Sequence, residues 1–97
     1  MAGNYTKSRR TDQDIKKLTE RSMTDFGELQ TDKYLSGLEE TLQLLADNPG
    51  LGRPCDYLRK SCQRHAYQSH IIFYRNRKSD IFITRIIHRN RDVKQLL

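Results

Sequence analysis

The sequence predicts an α+β domain in which a helical hairpin packs on a small, mostly antiparallel sheet, in the order β-α-α-β-β-β. Apolar residues recur at helical spacing in the first half of the chain. Isoleucine and aromatic residues crowd two runs in the last third, and a short polar turn separates them. A chain of 97 residues holds one domain with one small core, so we assign residues 1–97 to a single domain.

The N-terminal segment predicts a short strand followed by an amphipathic helix. Residues 4–6 include a tyrosine and a threonine, which favour a strand. Thr11 or Asp12 is the expected N-cap of the helix. Its expected core stripe has the helical period: Ile15, Leu18, Ser22, Met23 and Phe26. Gly27 fits the C-cap.

A second helix is predicted to follow at once and to pack against the first. Four leucines hold the helical period over three turns: Leu35, Leu38, Leu42 and Leu45. Leu29, Tyr34, Leu44 and Ala46 widen this face. The helix should end at residues 47–50, because Pro49 disfavours the helical state in the residue before it. We expect the four periodic leucines to be core.

The C-terminal half predicts three antiparallel strands, within residues 57–67, 70–75 and 81–88, with a hairpin turn at 76–79. In the last strand, Ile81, Ile83 and Ile87 should share one face, while Phe82 and Ile86 share the other. Apolar residues on both faces predict that the helices cover one face and a partner the other. Asp92 should cap a final turn over residues 93–97, in a tail that orders only on binding.

Charge is divided unevenly along the chain and predicts an anionic partner. Residues 1–52 hold seven Lys/Arg against nine Asp/Glu, a balance of −2, whereas residues 53–97 hold eleven against three, a balance of +8. Such a basic half suits nucleic acid, a nucleic-acid machine or an acidic protein. No apolar run is long enough to span a membrane and the N-terminus lacks a signal core, so we expect a cytoplasmic protein.

The two cysteines are predicted to be free thiols. Cys55 and Cys62 have a spacing that allows a disulfide, but the cytoplasm is reducing. With His65 and His70 they form a C-x6-C-x2-H-x4-H pattern that matches no common zinc module. We expect neither a metal nor a cofactor.

Several local signatures occur together in an order that resembles one protein family. They are Asp25-Phe-Gly27, Leu45-Ala-Asp-Asn-Pro-Gly-Leu-Gly-Arg53, Leu58-Arg59, His70-Ile-Ile-Phe-Tyr-Arg75 and Ile83-Thr-Arg-Ile-Ile-His-Arg-Asn-Arg-Asp92. Over residues 5–92 the chain resembles the RelE/ParE superfamily of bacterial toxins, and within it the ParE branch. The resemblance implies a helical hairpin on a small sheet. It also implies one of two activities, both silenced by an antitoxin: mRNA cleavage in the ribosome, or poisoning of DNA gyrase.

The residues favour a gyrase poison that acts by binding and has no catalytic residues. A metal-free ribonuclease needs a general base, a general acid and cations on the phosphate. Resemblance to the RelE branch would imply a tyrosine or a His-Tyr pair near the end of the last strand, where this chain reads His88-Arg89. The other acid–base candidates lie on other strands or at turns: Asp56, Tyr67, Tyr74 and Asp80. The alternatives are a ribosome-dependent mRNA interferase and a non-toxic module that binds nucleic acid or antitoxin.

The expected contacts with gyrase or its DNA are basic residues on the last two strands and their exit: Arg75, Arg85, His88, Arg89 and Arg91. Arginine offers a planar fork for carboxylates or phosphates, and few acids lie nearby in sequence to pair with these residues. His88 should donate a hydrogen bond to Asp92 or a backbone carbonyl. Arg59 and Arg64 are weaker candidates, and Arg77 and Lys78 should face solvent.

The expected antitoxin is a ParD-like protein with an acidic and hydrophobic tail. Such a tail would place its apolar groups on the helical hairpin and its acids on the basic sheet. The expected contacts lie around the helix junctions: Phe26, Leu29, Tyr34 and Leu51. At least two of these four residues should also belong to the core.

Overall fold

The computed structural model describes residues 3–96 and confirms the α+β architecture. Its elements are β1 (Tyr5–Lys7), α1 (Arg9–Phe26), α2 (Glu28–Asp47), β2 (Arg53–Pro54), β3 (Gln63–Tyr67), β4 (His70–Asn76), β5 (Ile81–His88) and α3 (Val93–Leu96). A 3-10 turn, Pro49–Leu51, follows α2. The two-residue strand β2 is an addition to the predicted order, whereas α3 corresponds to the predicted final turn.

The sheet has the strand order β1-β5-β4-β3-β2. The pairs β2–β3, β3–β4 and β4–β5 are antiparallel. β1 pairs in parallel with the free edge of β5, with Tyr5 opposite Ile81. The strand nearest the N-terminus therefore lies beside the last strand, and β4 is the central one.

Helix α1 begins earlier than the sequence suggests. Ser8 is the N-cap, and its Oγ accepts a hydrogen bond from the Thr11 N–H at 3.0 Å. The prediction of Thr11 or Asp12 as the cap is wrong because Thr11 lies inside the first turn, fully buried. Its hydroxyl donates to the Ile83 carbonyl at 2.8 Å, which ties α1 to β5.

The two long helices meet at Gly27 without a longer linker. The Gly27 N–H donates to the Met23 carbonyl, and its φ of 84° and ψ of 177° turn the chain directly into α2. This confirms the predicted C-cap. The predicted end of α2 is also confirmed, since Asp47 is its last residue and the Asn48 N–H donates to the Leu44 carbonyl.

The main core lies between the helices and the sheet. Leu38, Leu42 and Leu45 are buried there as predicted, and Leu35 is half-buried. From the sheet they meet Ile72, Tyr74, Ile81, Ile83 and Ile86. The Tyr74 hydroxyl donates to the Pro49 carbonyl and accepts from the Gly52 N–H, both at 2.9 Å. A Cβ at position 52 would collide with that hydroxyl.

A β-bulge reverses part of the predicted face pattern of β5. Tyr74 pairs with Ile83 and Phe73 with Arg85, so Thr84 is the extra residue. Beyond it, Ile86 joins Ile81 and Ile83 on the helical side, while Ile87 points to the opposite face. The predicted grouping of Ile87 with Ile81 and Ile83 is therefore wrong.

The chain itself covers part of the second face of the sheet. A smaller core forms there from Cys55, Cys62, Ile71, Phe73 and Ile87, with Leu58, Val93 and Leu96 packed against it. Residues 57–61, predicted as part of a strand, form a loop instead. Asp92 Oδ1 accepts from the Lys94 N–H as a cap. A tail that orders only on binding is wrong for residues 93–96, because α3 packs on this core; Leu97 lies outside the described residues.

Candidate target-binding surface

Arg85, one of the expected target contacts, is held inside the protein by Asp14. Its Nε and Nη2 donate to the two carboxylate oxygens at 2.8 and 3.0 Å, and its Nη1 donates to the Leu96 carbonyl at 2.6 Å. The two side chains are only 15% and 13% exposed. The Asp14 carboxylate raises the pKa of Arg85 above its usual range. The expectation that Arg85 lacks an acidic partner is wrong, and its charge ties α1, β5 and α3 together.

Asp14 reaches this position because β1 covers only half of the β5 edge. β1 pairs with β5 from Ile81 to Ile83, and past that point α1 supplies the partners. Ser8 Oγ donates to the Thr84 carbonyl at 2.9 Å, and Asp14 Oδ2 accepts from the Ile86 N–H at 3.0 Å. The polar side of α1 therefore satisfies strand groups that would otherwise be unpaired.

Three of the expected arginines are exposed: Arg75, Arg89 and Arg91. None of them forms an ion pair within residues 3–96. Arg89 and Arg91 lie in the turn after β5, where the Arg91 N–H donates to the His88 carbonyl at 3.0 Å. We call Arg89 and Arg91 the cationic turn. Arg75 pairs with Phe82, which lies six residues before His88 on β5. Because six residues of strand span about 20 Å, Arg75 belongs to a different surface.

Arg75 lines a groove that sequence reasoning did not foresee. Its other cationic walls are Arg10 at the start of α1 and Arg59 and Lys60 in the loop after β2, and the groove encloses about 300 Å³. We call this site, with Phe82 in its lining, the basic groove. Arg59, a weaker sequence candidate, thus joins Arg75. Arg10 and Lys60 were missed because their positions far apart in the sequence give no sign that they converge.

The remaining basic candidates have local partners or face solvent. Arg64 Nη1 donates to the Tyr57 hydroxyl at 3.2 Å. Arg77 forms a two-point ion pair with Asp80, at 2.7 and 2.6 Å, and its guanidinium lies 4.6 Å from the Phe82 ring centre. Hydrogen bonds from Arg77 and Thr6 lower the pKa of Asp80 to about 2. Lys78 is exposed, as predicted.

His88 belongs to a cluster at the other end of the sheet. The bulge places His70 directly opposite His88, with ring centres 5.3 Å apart. His70 Nδ1 lies 2.5 Å from the Tyr34 hydroxyl. His88 Nδ1 accepts from the Asn90 N–H at 3.2 Å, and within residues 3–96 His88 donates no hydrogen bond to Asp92 or to a carbonyl, contrary to the prediction. A regular hairpin would have paired His70 with Ile87, which is why the sequence did not reveal the cluster.

Burial shifts the pKa of His70 and of Tyr34. It lowers the pKa of His70, and the nearby His88 acts in the same direction while Asp14 opposes both. It also raises the pKa of Tyr34, whose side chain is half-buried. His70 is therefore held in its neutral form at neutral pH, and a neutral imidazole beside a phenol can in principle accept and return a proton.

The four expected antitoxin contacts do not form one surface. Phe26 and Leu29 lie together at the tip of the helical hairpin and are 66% and 74% exposed, with Met23 beside them. Leu51, 48% exposed, follows the opposite end of α2, which is about 30 Å long. Tyr34 is half-buried against Tyr67 and His70. None of the four is in the buried core, so the expectation that two would be is wrong.

The cysteines do not bind a metal here, because a disulfide joins Cys55 to Cys62. The prediction of free thiols is therefore wrong. Cys55 is fully buried and Cys62 nearly so, and the bridge closes the loop that carries Arg59 and Lys60. Within residues 3–96, no group of three His, Cys, Asp or Glu side chains is arranged to hold a metal ion. In the same part of the chain, no helix is both long and apolar enough to cross a membrane.

The chain is similar to known proteins both in its sequence and in its structure. Residues 5–93 match the model of a family described as the ParE toxin of the type II toxin-antitoxin system parDE. Toxin ParE1 of Caulobacter vibrioides is 31% identical over 90 residues, which cover 93% of each chain. Toxin ParE1 of Mycobacterium tuberculosis is 28% identical, with 100% of both chains covered. A solved structure described as the chromosomal ParDE TA system from P. aeruginosa has the same fold: its TM-score is 0.78 at 15% identity, over 90% of this chain and 96% of that one.

Proposed function

Because the chain belongs to the ParE toxin family of type II toxin-antitoxin systems, we propose that it blocks replication by binding DNA gyrase in the cytoplasm. In this proposal the toxin stabilises the cleaved-DNA state of gyrase, and the cutting chemistry remains that of gyrase. A ParD-like antitoxin silences the toxin by covering part of its surface.

The observation that carries this proposal is the cationic turn. Arg89 and Arg91 are exposed and form no ion pair within residues 3–96, and they follow directly on the rigid β4–β5 hairpin. An unpaired guanidinium can bind a carboxylate or phosphate without breaking an existing ion pair, and its planar fork forms two hydrogen bonds at once, which suits recognition by contact. Arg85 supports this surface from within, because its ion pair with Asp14 fixes β5 and its bond to the Leu96 carbonyl fixes α3 on the other side of the turn.

The first experiment measures supercoiling and cleavage by purified gyrase on plasmid DNA, with and without the protein. We expect loss of supercoiling and accumulation of linear, protein-linked DNA. The Arg89→Ala/Arg91→Ala variant should need at least tenfold more protein for the same effect. Arg21→Ala is the matched control, because Arg21 is exposed in the last turns of α1 with only a long 3.6 Å pair to Asp25. Unaltered gyrase at a clear molar excess of folded protein would refute the proposal.

The antitoxin proposal rests on the exposed tip of the helical hairpin. Large apolar side chains such as Phe26 and Leu29 gain about 1.5–3 kcal/mol each when a partner buries them fully. The Phe26→Ser/Leu29→Ser variant should therefore bind a ParD-like antitoxin at least tenfold more weakly in calorimetry. Leu44→Ser is the control, since Leu44 is half exposed in the last turn of α2, at the end of that helix far from the tip. If Phe26→Ser/Leu29→Ser weakened antitoxin binding no more than Leu44→Ser does, the antitoxin would bind a surface other than the tip of the helical hairpin.

Ribosome-dependent mRNA cleavage remains a second candidate because of the His70, His88 and Tyr34 cluster. The cluster brings together acid–base groups that the sequence keeps apart. This function predicts codon-preferring cuts in translated mRNA that are abolished in His70→Ala and His88→Ala. Growth arrest that persists in both variants, without mRNA cuts, would exclude it. A protein that arrests neither growth nor gyrase would be a binding module only.

A further inference from the structure

The basic groove is built from parts of the chain that are distant in sequence. Arg10 comes from the first turn of α1, Arg59 and Lys60 from the disulfide-closed loop, and Arg75 from the end of β4. Three structural devices hold these parts in place. They are the Ser8 cap on α1, the hydrogen bond that the Ser61 N–H donates to Asp56 Oδ1 at 2.9 Å, and the pairing of Arg75 with Phe82 in the hairpin.

The charge of the groove is not compensated by the protein. Arg85 also lines it, but Asp14 neutralises that guanidinium. The other four cations, Arg10, Arg59, Lys60 and Arg75, form no ion pair within residues 3–96. Four like charges around a space of about 300 Å³ repel one another, and a bound polyanion relieves that repulsion.

The groove also contains a stacking surface. The Arg75 guanidinium lies 5.2 Å from the Phe82 ring centre, and Arg77, fixed by its pair with Asp80, lies 4.6 Å from the same ring. An acidic peptide needs only the cations of such a site. An unpaired nucleotide uses both parts, because phosphates bind the cations while the base stacks on an aromatic ring or a guanidinium plane.

We propose that the basic groove binds a single strand of nucleic acid, with its phosphates on Arg10, Arg59 and Lys60 and a base stacked on the Arg75 and Phe82 surface. The volume of the groove suits one nucleotide of a longer strand. The inference deepens the proposed function and rests on it for the source of the strand, namely DNA opened in the gyrase complex. Binding itself does not require gyrase.

The test measures anisotropy of a fluorescein-labelled 12-nucleotide DNA strand with the purified protein from 20 to 200 mM NaCl. Arg59→Gln and Lys60→Gln should each weaken binding about three- to tenfold at low salt and reduce the salt slope by about 0.7. Phe82→Leu should weaken binding by about fivefold or more at every salt concentration, since stacking is not screened. Arg21→Gln also removes one positive charge, but Arg21 lies about 16 Å from Arg10 along α1, outside the groove. This variant should bind the strand like the wild type.

Three results would overturn the inference. One is that the wild type binds the strand no more tightly than Arg59→Gln does, when thermal melting shows that both proteins are folded. Another is tighter binding of the matching duplex than of the strand, and the third is tighter binding of a 12-residue poly-glutamate peptide. Failure of the gyrase assay with intact strand binding would instead refute the proposed function alone. Gyrase poisoning that is unchanged in a protein that binds no strand would refute this inference alone.

Discussion

At the scale of single residues, Asp14 does the most to join the two halves of the chain. One carboxylate accepts from Arg85 and from the Ile86 N–H, and most of it is shielded from water. Asp14→Ala leaves a buried guanidinium without its carboxylate and a strand N–H without its acceptor, so we expect a loss of about 3 kcal/mol in the free energy of unfolding. Urea denaturation followed by circular dichroism measures this.

Asp12→Ala is the control for that measurement. Asp12 lies one half-turn earlier on the same helix and has an exposed, 3.6 Å pair with Lys7. Its loss should cost under about 1 kcal/mol, from a weak surface pair and a small effect at the helix N-terminus. If the two variants were equally stable, the Asp14 bonds would be of no consequence in solution.

His70 should make the stability of the protein depend on pH. Burial holds its pKa in the folded protein below the usual value of about 6.5, so the unfolded chain takes up the proton first as the pH falls. The free energy of unfolding should therefore be highest above pH 6.5 and should decline as the pH drops below it. In urea titrations between pH 5 and 8, His70→Gln should flatten this decline.

His65→Gln controls for a general effect of losing a histidine, because His65 lies on β3 outside the Tyr34 cluster. It should keep the decline of the wild type. A decline that is the same in His70→Gln as in the wild type would show that another group causes it.

At the scale of elements, the junction between the two long helices depends on one backbone conformation. Gly27 has a φ of 84° and a ψ of 177°, a region that is almost restricted to glycine. A Cβ at this position would meet no atom within 4 Å, so the cost of Gly27→Ala comes from the backbone alone. We expect a loss of about 1–3 kcal/mol in thermal or urea unfolding.

Gly50→Ala is the matched control, because position 50 is equally open and its φ is not positive. That substitution should be neutral or slightly stabilising. Comparable losses at both positions would mean that the unfolded chain, and not the helix junction, dominates the effect.

The elements also show which parts of the fold could be predicted from the sequence. The leucine period of α2, the glycine at the junction and the two isoleucine-rich strands are local signals, and each was interpreted correctly. The N-cap was misplaced because Thr11 makes its important bond with Ile83, which is distant in sequence. The bulge at Thr84 has no local signal, so Ile87, the pairing of His70 with His88 and the ion pair of Arg85 all escaped prediction.

The loop after β2 should be stabilised by its disulfide. A bridge across a sequence separation of seven residues contributes about 2–3 kcal/mol by restricting the unfolded chain. Dithiothreitol should therefore lower the urea midpoint of the wild type. The Cys55→Ala/Cys62→Ala variant should have a low midpoint that the reductant does not change. A wild-type midpoint that is insensitive to complete reduction would contradict this prediction.

At the scale of the whole molecule, the basic half of the chain is divided between two surfaces. Sequence reasoning predicted an anionic partner from the balance of +8 in residues 53–97. The structure places Arg59, Lys60 and Arg75 in the basic groove at one end of the β4–β5 hairpin, and Arg89 and Arg91 in the cationic turn at the other. The packing of α1, the loop after β2 and the β4–β5 hairpin determines which cations lie together, and no count of charges contains this information.

The parallel pairing of β1 with β5 bears on how the protein is made. Ser8 contacts Thr84, 76 residues further along the chain, and Tyr5 has no strand partner until Ile81 has been synthesised. Local contacts can form the helical hairpin early, whereas the sheet must wait for nearly the whole chain. A ribosome that stops before codon 81 therefore releases helices without a sheet to cover their leucines. Such a fragment lacks the fold on which both cationic surfaces depend, so an interrupted round of translation yields no toxin.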